Sequence, residues 1–382
     1  MSAQRHILVP TGSRGEWGYI RPVLRLIDAE PRLRSSLVVT NMHLLPEFGT
    51  SAHEIERDGL EIEQEIYMAL DGYTGASMSK SLGVFLMSIT DTLDRLRPDF
   101  VLLAGDRGEQ MMAAIAAAHM NVPVAHIQAG EVSGNVDGQT RHALARYAHV
   151  HFAANEDAAE RLRRSGEQEF RIHTVGAPQL DELIGEDPAP PEELAARFHV
   201  SFDEPLVLLV QHPVTEQMKL AGRQMEETLA ALRELQLQTL LVYPNNDAGS
   251  AELRAKIDEF RAPWLHVERN LPRRAYAGLL RSSSAIVGNS SSGIIEAPAF
   301  GLPAVNVGRR QEGRIQGENV VNVEHDRGEI TAAVRRVVGP EFRASLNGTG
   351  SPYGDGKASE RIVRLLAEIP IDETLLYKAL TY

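Results

Sequence analysis

Short runs of Val, Ile, Leu and Phe recur along the chain, each separated from the next by a stretch with helical spacing. The runs at 6–10, 36–40, 99–104, 123–127 and 149–153 are continuous rather than alternating, the pattern of strands covered on both faces. Amphipathic stretches at 19–28, 110–119 and 140–147 follow or precede them. Strand–helix alternation of this kind predicts a parallel, doubly wound sheet. After Gly176-Ala-Pro178 the pattern restarts, with strands predicted at 206–210, 239–243, 264–267, 285–288 and 304–307 and helices at 217–235, 251–260, 276–281 and 294–300. The proline-rich, acidic stretch Glu186-Asp-Pro-Ala-Pro-Pro-Glu-Glu193 reads as surface near a boundary. With 382 residues the chain exceeds the size at which a single core keeps growing. Two Rossmann-like α/β halves, 1–177 and 178–360, are therefore expected to face each other across a cleft at their strand C-termini.

Composition narrows what such a cleft can hold. A formal charge of −13 argues against nucleic acid or an anionic membrane surface as the main partner. A small anionic ligand remains open, because clustered arginines or a helix N-terminus can oppose the global field. The chain has no cysteine, which removes disulfides, thiolate metal sites and cysteine nucleophiles together. No apolar run reaches the ~18 residues of a membrane span, and the first residues lead straight into a strand. The expectation is a cytoplasmic protein with no membrane partner.

In a parallel sheet the chemistry sits in the loops just after the strands. After the first strand comes Thr11-Gly-Ser-Arg-Gly-Glu-Trp-Gly18. Glycines near a helix start favour close approach of a phosphate, and Arg14 offers a planar fork for it; a tight turn with a surface arginine is the competing reading. Asp106, in Gly105-Asp-Arg-Gly-Glu109, ends another strand, where a carboxylate serves as proton acceptor or as a helix N-cap.

The densest cluster is His126-Ile-Gln-Ala-Gly-Glu131-Val-Ser-Gly-Asn-Val-Asp137-Gly-Gln-Thr-Arg141-His142. Asp137 and Arg141 share a helix face at i,i+4, whereas Glu131 sits in a Gly/Ser-flanked loop. Carboxylates held in different environments supply one base and one acid. In the second half, His212 follows a strand in Gln211-His-Pro-Val-Thr, and Val287-Gly-Asn-Ser-Ser-Ser-Gly-Ile-Ile-Glu296 runs from strand to helix. Asn306-Val-Gly-Arg-Arg-Gln-Glu-Gly-Arg314 adds three arginines after a strand, a seat for a diphosphate. There is no HExxH or His-rich triplet; no metal and no cofactor are expected.

Taken in order along nearly the whole chain, these motifs resemble the hydrolysing UDP-N-acetylglucosamine 2-epimerases of the sialic-acid and legionaminic-acid type branch. They are similar to the epimerase half of the animal bifunctional enzyme and to bacterial relatives. The resemblance implies a GT-B-like architecture, with a C-terminal helix at about 361–382 crossing back to the first domain, and a homodimer or homotetramer. It implies anti elimination of the nucleoside diphosphate across C1–C2, then addition of water to the glycal, releasing the free 2-epimer such as N-acetylmannosamine for sialic acid biosynthesis.

Carried onto this sequence, the resemblance implies an acid/base set of Asp106, Glu131 and Asp137 supported by Arg141 and His212, with either Asp106 or Glu131 moving the C2 proton. Arg14, Ser290, Ser291, Ser292, Gly293, Asn306, Arg309, Arg310 and Arg314 are implied around the diphosphate, His43 near the sugar, and Glu296 at the ribose hydroxyls. Gly138 departs from the family's second acidic residue after Asp137. Trp17, close to the family's Tyr, favours the hydrolysing branch over the reversible one. The substrate is a UDP-sugar or a GDP-sugar: UDP-N-acetylglucosamine or a diacetamido-trideoxy relative, with Gln128, Ala129 and Asn135 as candidate discriminators. A non-hydrolysing 2-epimerase and a GT-B glycosyltransferase are the alternatives.

Overall fold

A computed structural model describes residues 4–46, 52–71, 74–132, 136–185, 187–245, 247–346 and 348–382; of Glu54, Val136 and Asp137 it describes the backbone only. The first half alternates β1 (Arg5–Thr11), α1 (Arg14–Ala29), β2 (Leu33–Thr40), α2 (Ala52–Arg57), β3 (Ile62–Ile66), α3 (Gly75–Leu96), β4 (Phe100–Ala104), α4 (Gly108–His119), β5 (Val124–Ile127), α5 (Val136–Tyr147), β6 (Val150–Ala153), α6 (Glu156–Arg164) and β7 (Ile172–Thr174). The seven strands form one parallel sheet in the order β3-β2-β1-β4-β5-β6-β7.

Its strands are covered on both faces, as their continuous apolar runs require. In β1, Ile7 and Val9 pack on one side with Trp17, Ile20 and Leu24 of α1. Leu8 points the other way, into a core with Phe85, Ile89 and Leu93 of α3 and the alanines of α4.

Helices α7 (Gln179–Gly185) and α8 (Pro191–Phe198) lead to the second half: β8 (Leu206–Val210), α9 (Ala221–Leu235), β9 (Gln238–Val242), α10 (Ser250–Glu259), β10 (Leu265–Glu268), α11 (Arg273–Ser282), β11 (Ala285–Gly288), α12 (Ser292–Ile295), β12 (Ala304–Val307), β13 (Val320–Val323), α13 (Arg327–Val337) and α14 (Pro340–Ser345). The second parallel sheet has the order β10-β9-β8-β11-β12-β13. Met225 and Leu229 of α9 with Val334 of α13 cover one face, and Leu194, Phe198 and Leu279 of α8 and α11 the other. The fold is two parallel-sheet α/β domains around a cleft, as expected.

Several expected elements differ in extent. α1 begins at Arg14 rather than 19, because Ser13 and Glu16 form a reciprocal capping box at its start. The proline-rich stretch 186–193 ends inside α8: Pro191 stands in the first turn, where its missing N–H costs nothing. The helix expected at 294–300 is the single turn α12 followed by a 3₁₀ turn, Ala297–Phe300, that takes up Pro298. The C-terminal helix is α15 (Ala358–Glu368), followed by α16 (Glu373–Leu376); Pro370 between them rules out one helix to 382. Ile362, Val363 and Leu366 of α15 join the core beside α1 in the first domain. Among the described residues no helix is long and apolar enough to cross a membrane.

Candidate active site

The strand C-termini of both sheets open onto one cleft, lined among others by Ser13, Arg14, Glu16, Tyr19, Asp106, Arg107, Arg141, His212, Asn245, Tyr276, Ser290, Ser291, Ser292, Glu296, Arg310 and Arg314. On the second-domain side, the buried Asn289 organises the wall. Its amide accepts from the His212 N–H at 2.7 Å and donates to the His212 carbonyl at 2.9 Å. Its own carbonyl receives Arg310 at 3.2 Å and Gln311 at 2.8 Å. Gly288 precedes it with φ +119, and any Cβ there would strike the Val210 carbonyl.

The N–H groups of Asn289 and Ser290 both donate to Val210 O, at 3.1 and 3.2 Å. These two amides are used in joining β11 to β8, and Ser290, Ser291 and Ser292 line the cleft with Arg310 and Arg314. One turn on, Ser292 donates to the Glu296 carboxylate and shares a hydrogen bond with the Tyr276 hydroxyl. Burial and then the Glu296 charge push the Tyr276 phenol well above its ordinary range, so it stays a neutral donor.

His212 Nδ1 accepts from the Asn245 N–H at 3.1 Å, which leaves the proton on Nε2. Burial, then the charges of Arg310, Arg14 and Arg107, hold its pKa well below the ordinary histidine value. It is a neutral imidazole carrying an N–H donor.

The first-domain side carries the carboxylates. Asp106, just past β4, forms a close ion pair with Arg141 of α5, whose other nitrogen donates to Gln128 O at 2.6 Å. His126, fully buried, holds the Gly105 carbonyl at 2.6 Å, and its pKa is lowered to about 3, chiefly by burial. Glu131, in the loop after β5, is buried and accepts from the Asn155 amide at 2.7 Å. Arg314 of the second domain stands 3.9 Å from its other oxygen.

Glu16 takes the Gly12 and Ser13 N–H groups on one oxygen, at 2.6 and 3.1 Å. Burial and then the neighbouring Glu109 charge push its carboxyl well above the usual carboxylate range.

Contacts across the cleft tie the two walls together. Arg14 donates to Arg269 O at 2.6 Å and to Asn270 at 3.0 Å. Arg107 pairs with Asp247 at 3.0 Å, and Arg314 donates to Val132 O at 2.5 Å.

Of the residues singled out in the sequence, Arg14, Asp106, Arg141, His212, Ser290, Ser291, Ser292, Glu296, Arg310 and Arg314 thus line one cleft. Glu131 is buried 3.9 Å from Arg314 and is not itself among the lining residues. His43 is fully buried, bonded to Thr11 at 3.0 Å and lowered to about 3 by burial and then Arg14; it is not among the lining residues. Gly293 and Asn306 are buried behind the serine loop, and Arg309 is exposed outside the cleft. Gln128 and Ala129 are buried and also off the lining, while Asn135 and the Asp137 side chain lie outside the described residues.

Sequence reasoning passed over Glu16, Tyr19, Arg107, Asn245, Tyr276 and Asn155. For Glu16 a signal existed: Ser13-Arg-Gly-Glu16 is a capping-box spacing. The others depend on contacts distant in the chain. Among the described residues no His/Asp/Glu cluster suited to a metal ion is present.

Two parallel sheets around a cleft with an arginine–serine wall and a carboxylate wall define a protein that handles an anionic, nucleotide-like ligand. The model of the UDP-N-acetylglucosamine 2-epimerase family matches residues 25–367, and the chain belongs to that family. The chain is 37% identical over 380 residues to the UDP-N,N'-diacetylbacillosamine 2-epimerase (hydrolyzing) of Legionella pneumophila, covering 99% of this chain and all of that one. It is 28% identical to the GDP/UDP-N,N'-diacetylbacillosamine 2-epimerase (hydrolyzing) of Campylobacter jejuni, covering 98% of each. Its fold is similar to the crystal structure of UDP-GlcNAc 2-epimerase from Neisseria meningitidis bound to UDP-GlcNAc, with a TM-score of 0.78 at 18% identity over 94% of this chain and 99% of that one.

Proposed function

We propose that this chain is a hydrolysing nucleoside-diphosphate-sugar 2-epimerase whose substrate is a UDP-linked 2,4-diacetamido-trideoxy sugar, with UDP-N-acetylglucosamine as the second candidate. The observation that carries the reading is that one cleft is lined both by Ser290, Ser291, Arg310 and Arg314 and by the Asp106–Arg141 pair. The likeness to the Legionella relative favours the diacetamido sugar.

In this reading the arginines and hydroxyls hold the diphosphate, where negative charge develops as the C1–O bond breaks. Glu296, already bonded to Ser292, takes the ribose hydroxyls. The carboxylates Asp106 and Glu131 carry the proton transfers: one removes the C2 proton as the diphosphate leaves, forming the C1=C2 glycal. Water then adds, its oxygen to C1 and a proton to C2 from the opposite face, giving the inverted free sugar. His212, neutral with its proton on Nε2, donates to the leaving diphosphate. The domains divide near residue 177.

The test is incubation with UDP-N,N'-diacetylbacillosamine, UDP-N-acetylglucosamine and the GDP analogue, read by mass spectrometry. Release of nucleoside diphosphate with equimolar free sugar, lost in Glu131→Gln and in Asp106→Asn, is the expected result. A 2-epimeric nucleotide sugar without diphosphate release overturns the hydrolysing assignment. Turnover only when an acceptor is added makes the protein a glycosyltransferase instead.

A further inference from the structure

We propose that Asn155 is a positioning residue for the proposed proton transfer: it fixes the Glu131 carboxylate while its other amide atom caps the helix that follows. The inference rests on the reading of Glu131 as a proton-transfer group.

Asn155 stands at the N-cap of α6 in extended conformation, and its Oδ1 accepts the Ala158 N–H at 2.9 Å. That bond settles the orientation of the amide, because of its two terminal atoms only the oxygen can accept from a backbone N–H. The NH₂ is therefore turned the other way, where it meets Glu131 Oε1 at 2.7 Å. Asn155 is only 7% exposed and Glu131 2%, so the bond is sheltered from water and correspondingly strong.

The same helix grips the Glu131 loop at two further points. Arg161 of α6 donates to Gly130 O at 2.6 Å. Gly130, at φ +76, lies so close to the Ala158 carbonyl that a Cβ there has no room. The first two turns of α6 are thus a template for the loop, and Asn155 is their contact with the carboxylate itself.

The remaining groups around Glu131 come from other elements. Arg314 reaches it from the second domain at 3.9 Å. Arg141 of α5 and the Tyr353 hydroxyl are close enough for its charge to act on them. The Tyr353 phenol is pushed up by burial first and Glu131 second, so it remains neutral. Arg314 comes from the second domain, whereas Asn155, a neutral donor, belongs with Glu131 to the first.

Serine and aspartate both cap helices about as well as asparagine. Asn155→Ser keeps the cap and loses the reach to Glu131; Asn155→Asp keeps the cap and sets a second carboxylate against it. Wild type, both variants and Glu131→Gln are compared on the sugar nucleotide that the wild type turns over, for kcat, KM, the pH dependence of kcat and thermal midpoint. Asn155→Ser is expected to lower kcat about ten- to a hundredfold, the loss of a hydrogen bond to a charged group, with KM little changed.

The acidic limb of the kcat profile moves to higher pH in Asn155→Ser and further in Asn155→Asp, since a lost donor and a like charge each disfavour the ionised carboxylate. Midpoints stay within about 2 °C of wild type. Wild-type kcat and pH profile in Asn155→Ser, with Glu131→Gln inactive, overturn the proposal and leave the reading of Glu131 standing. A kcat loss with a lowered midpoint and an unmoved acidic limb assigns Asn155 the cap alone and overturns it as well. Activity retained in Glu131→Gln removes the reading of Glu131 and this proposal with it.

Discussion

Glu16 shows how one side chain carries a structural and an electrostatic load together. It closes the capping box of α1 and receives two backbone donors, yet it is buried beside Glu109 and its carboxyl is held well above its ordinary range. A carboxyl raised in the folded state contributes stability that is complete below its unfolded pKa and is lost as pH rises through the folded value. Glu16→Gln keeps the acceptor for Gly12 and Ser13 but cannot ionise. Melting curves are expected to coincide for variant and wild type near pH 4, with the variant progressively more stable toward pH 8. A difference that does not grow with pH contradicts the raised carboxyl pKa of Glu16.

Among the elements, the tail beyond α15 does more than end the chain. Arg171, fully buried, donates to the carbonyls of Thr374, Leu375 and Tyr377 at 2.8 to 2.9 Å. Lys378 extends over the C-terminal end of α5, donating to Ala145 O and, at 2.6 Å, to Ala148 O, and pairs with the buried Glu167 at 2.7 Å. A cation on the last carbonyls of a helix is stabilising in itself. Here the helix is the one that carries Arg141. Lys378→Met leaves Glu167 its contacts with Arg146 and His151. The expected cost is about 2 kcal/mol, less than for a fully stranded buried charge, seen as a thermal midpoint several degrees lower. An unchanged midpoint shows that the tail contributes no net stability.

For the molecule as a whole, the buried histidines set the acid limit. His43 and His126 are lowered to about 3 and His149 and His151 to about 4, each first by burial. A base whose folded pKa is lowered contributes stability that is complete above its unfolded value and lost as pH falls toward the folded one. Stability is therefore expected to decline from about pH 6.5 downward, against the opposite trend of Glu16. Unfolding at pH 5 should take up more than one proton, as titration calorimetry or the pH slope of denaturant midpoints would record; uptake of none contradicts the neutral, buried state of these rings.

The two α/β halves were legible from periodicity, because strands buried on both faces must be continuously apolar and their crossover helices amphipathic. The strands at 206–210, 285–288 and 304–307 agree with β8, β11 and β12 residue for residue. The long α3 went unread, although its Thr74/Ser77 cap and the buried Phe85, Ile89 and Leu93 at helical spacing are plain in retrospect. Most of the polar residues lining the cleft were also legible, since strand-end loops in a parallel sheet all open to one side.

Which of those residues touch was not legible. Asn289 clamping His212, Asn155 meeting Glu131 and Arg107 pairing with Asp247 are contacts between residues 24 to 140 positions apart. Local propensity carries no information about them; packing does, by turning His43 inward, leaving Arg309 outside and bringing Arg314 to Glu131. Periodicity follows from burial of faces and is written into each segment alone. Pairing in a cleft follows from how two finished domains meet, and no single segment encodes that.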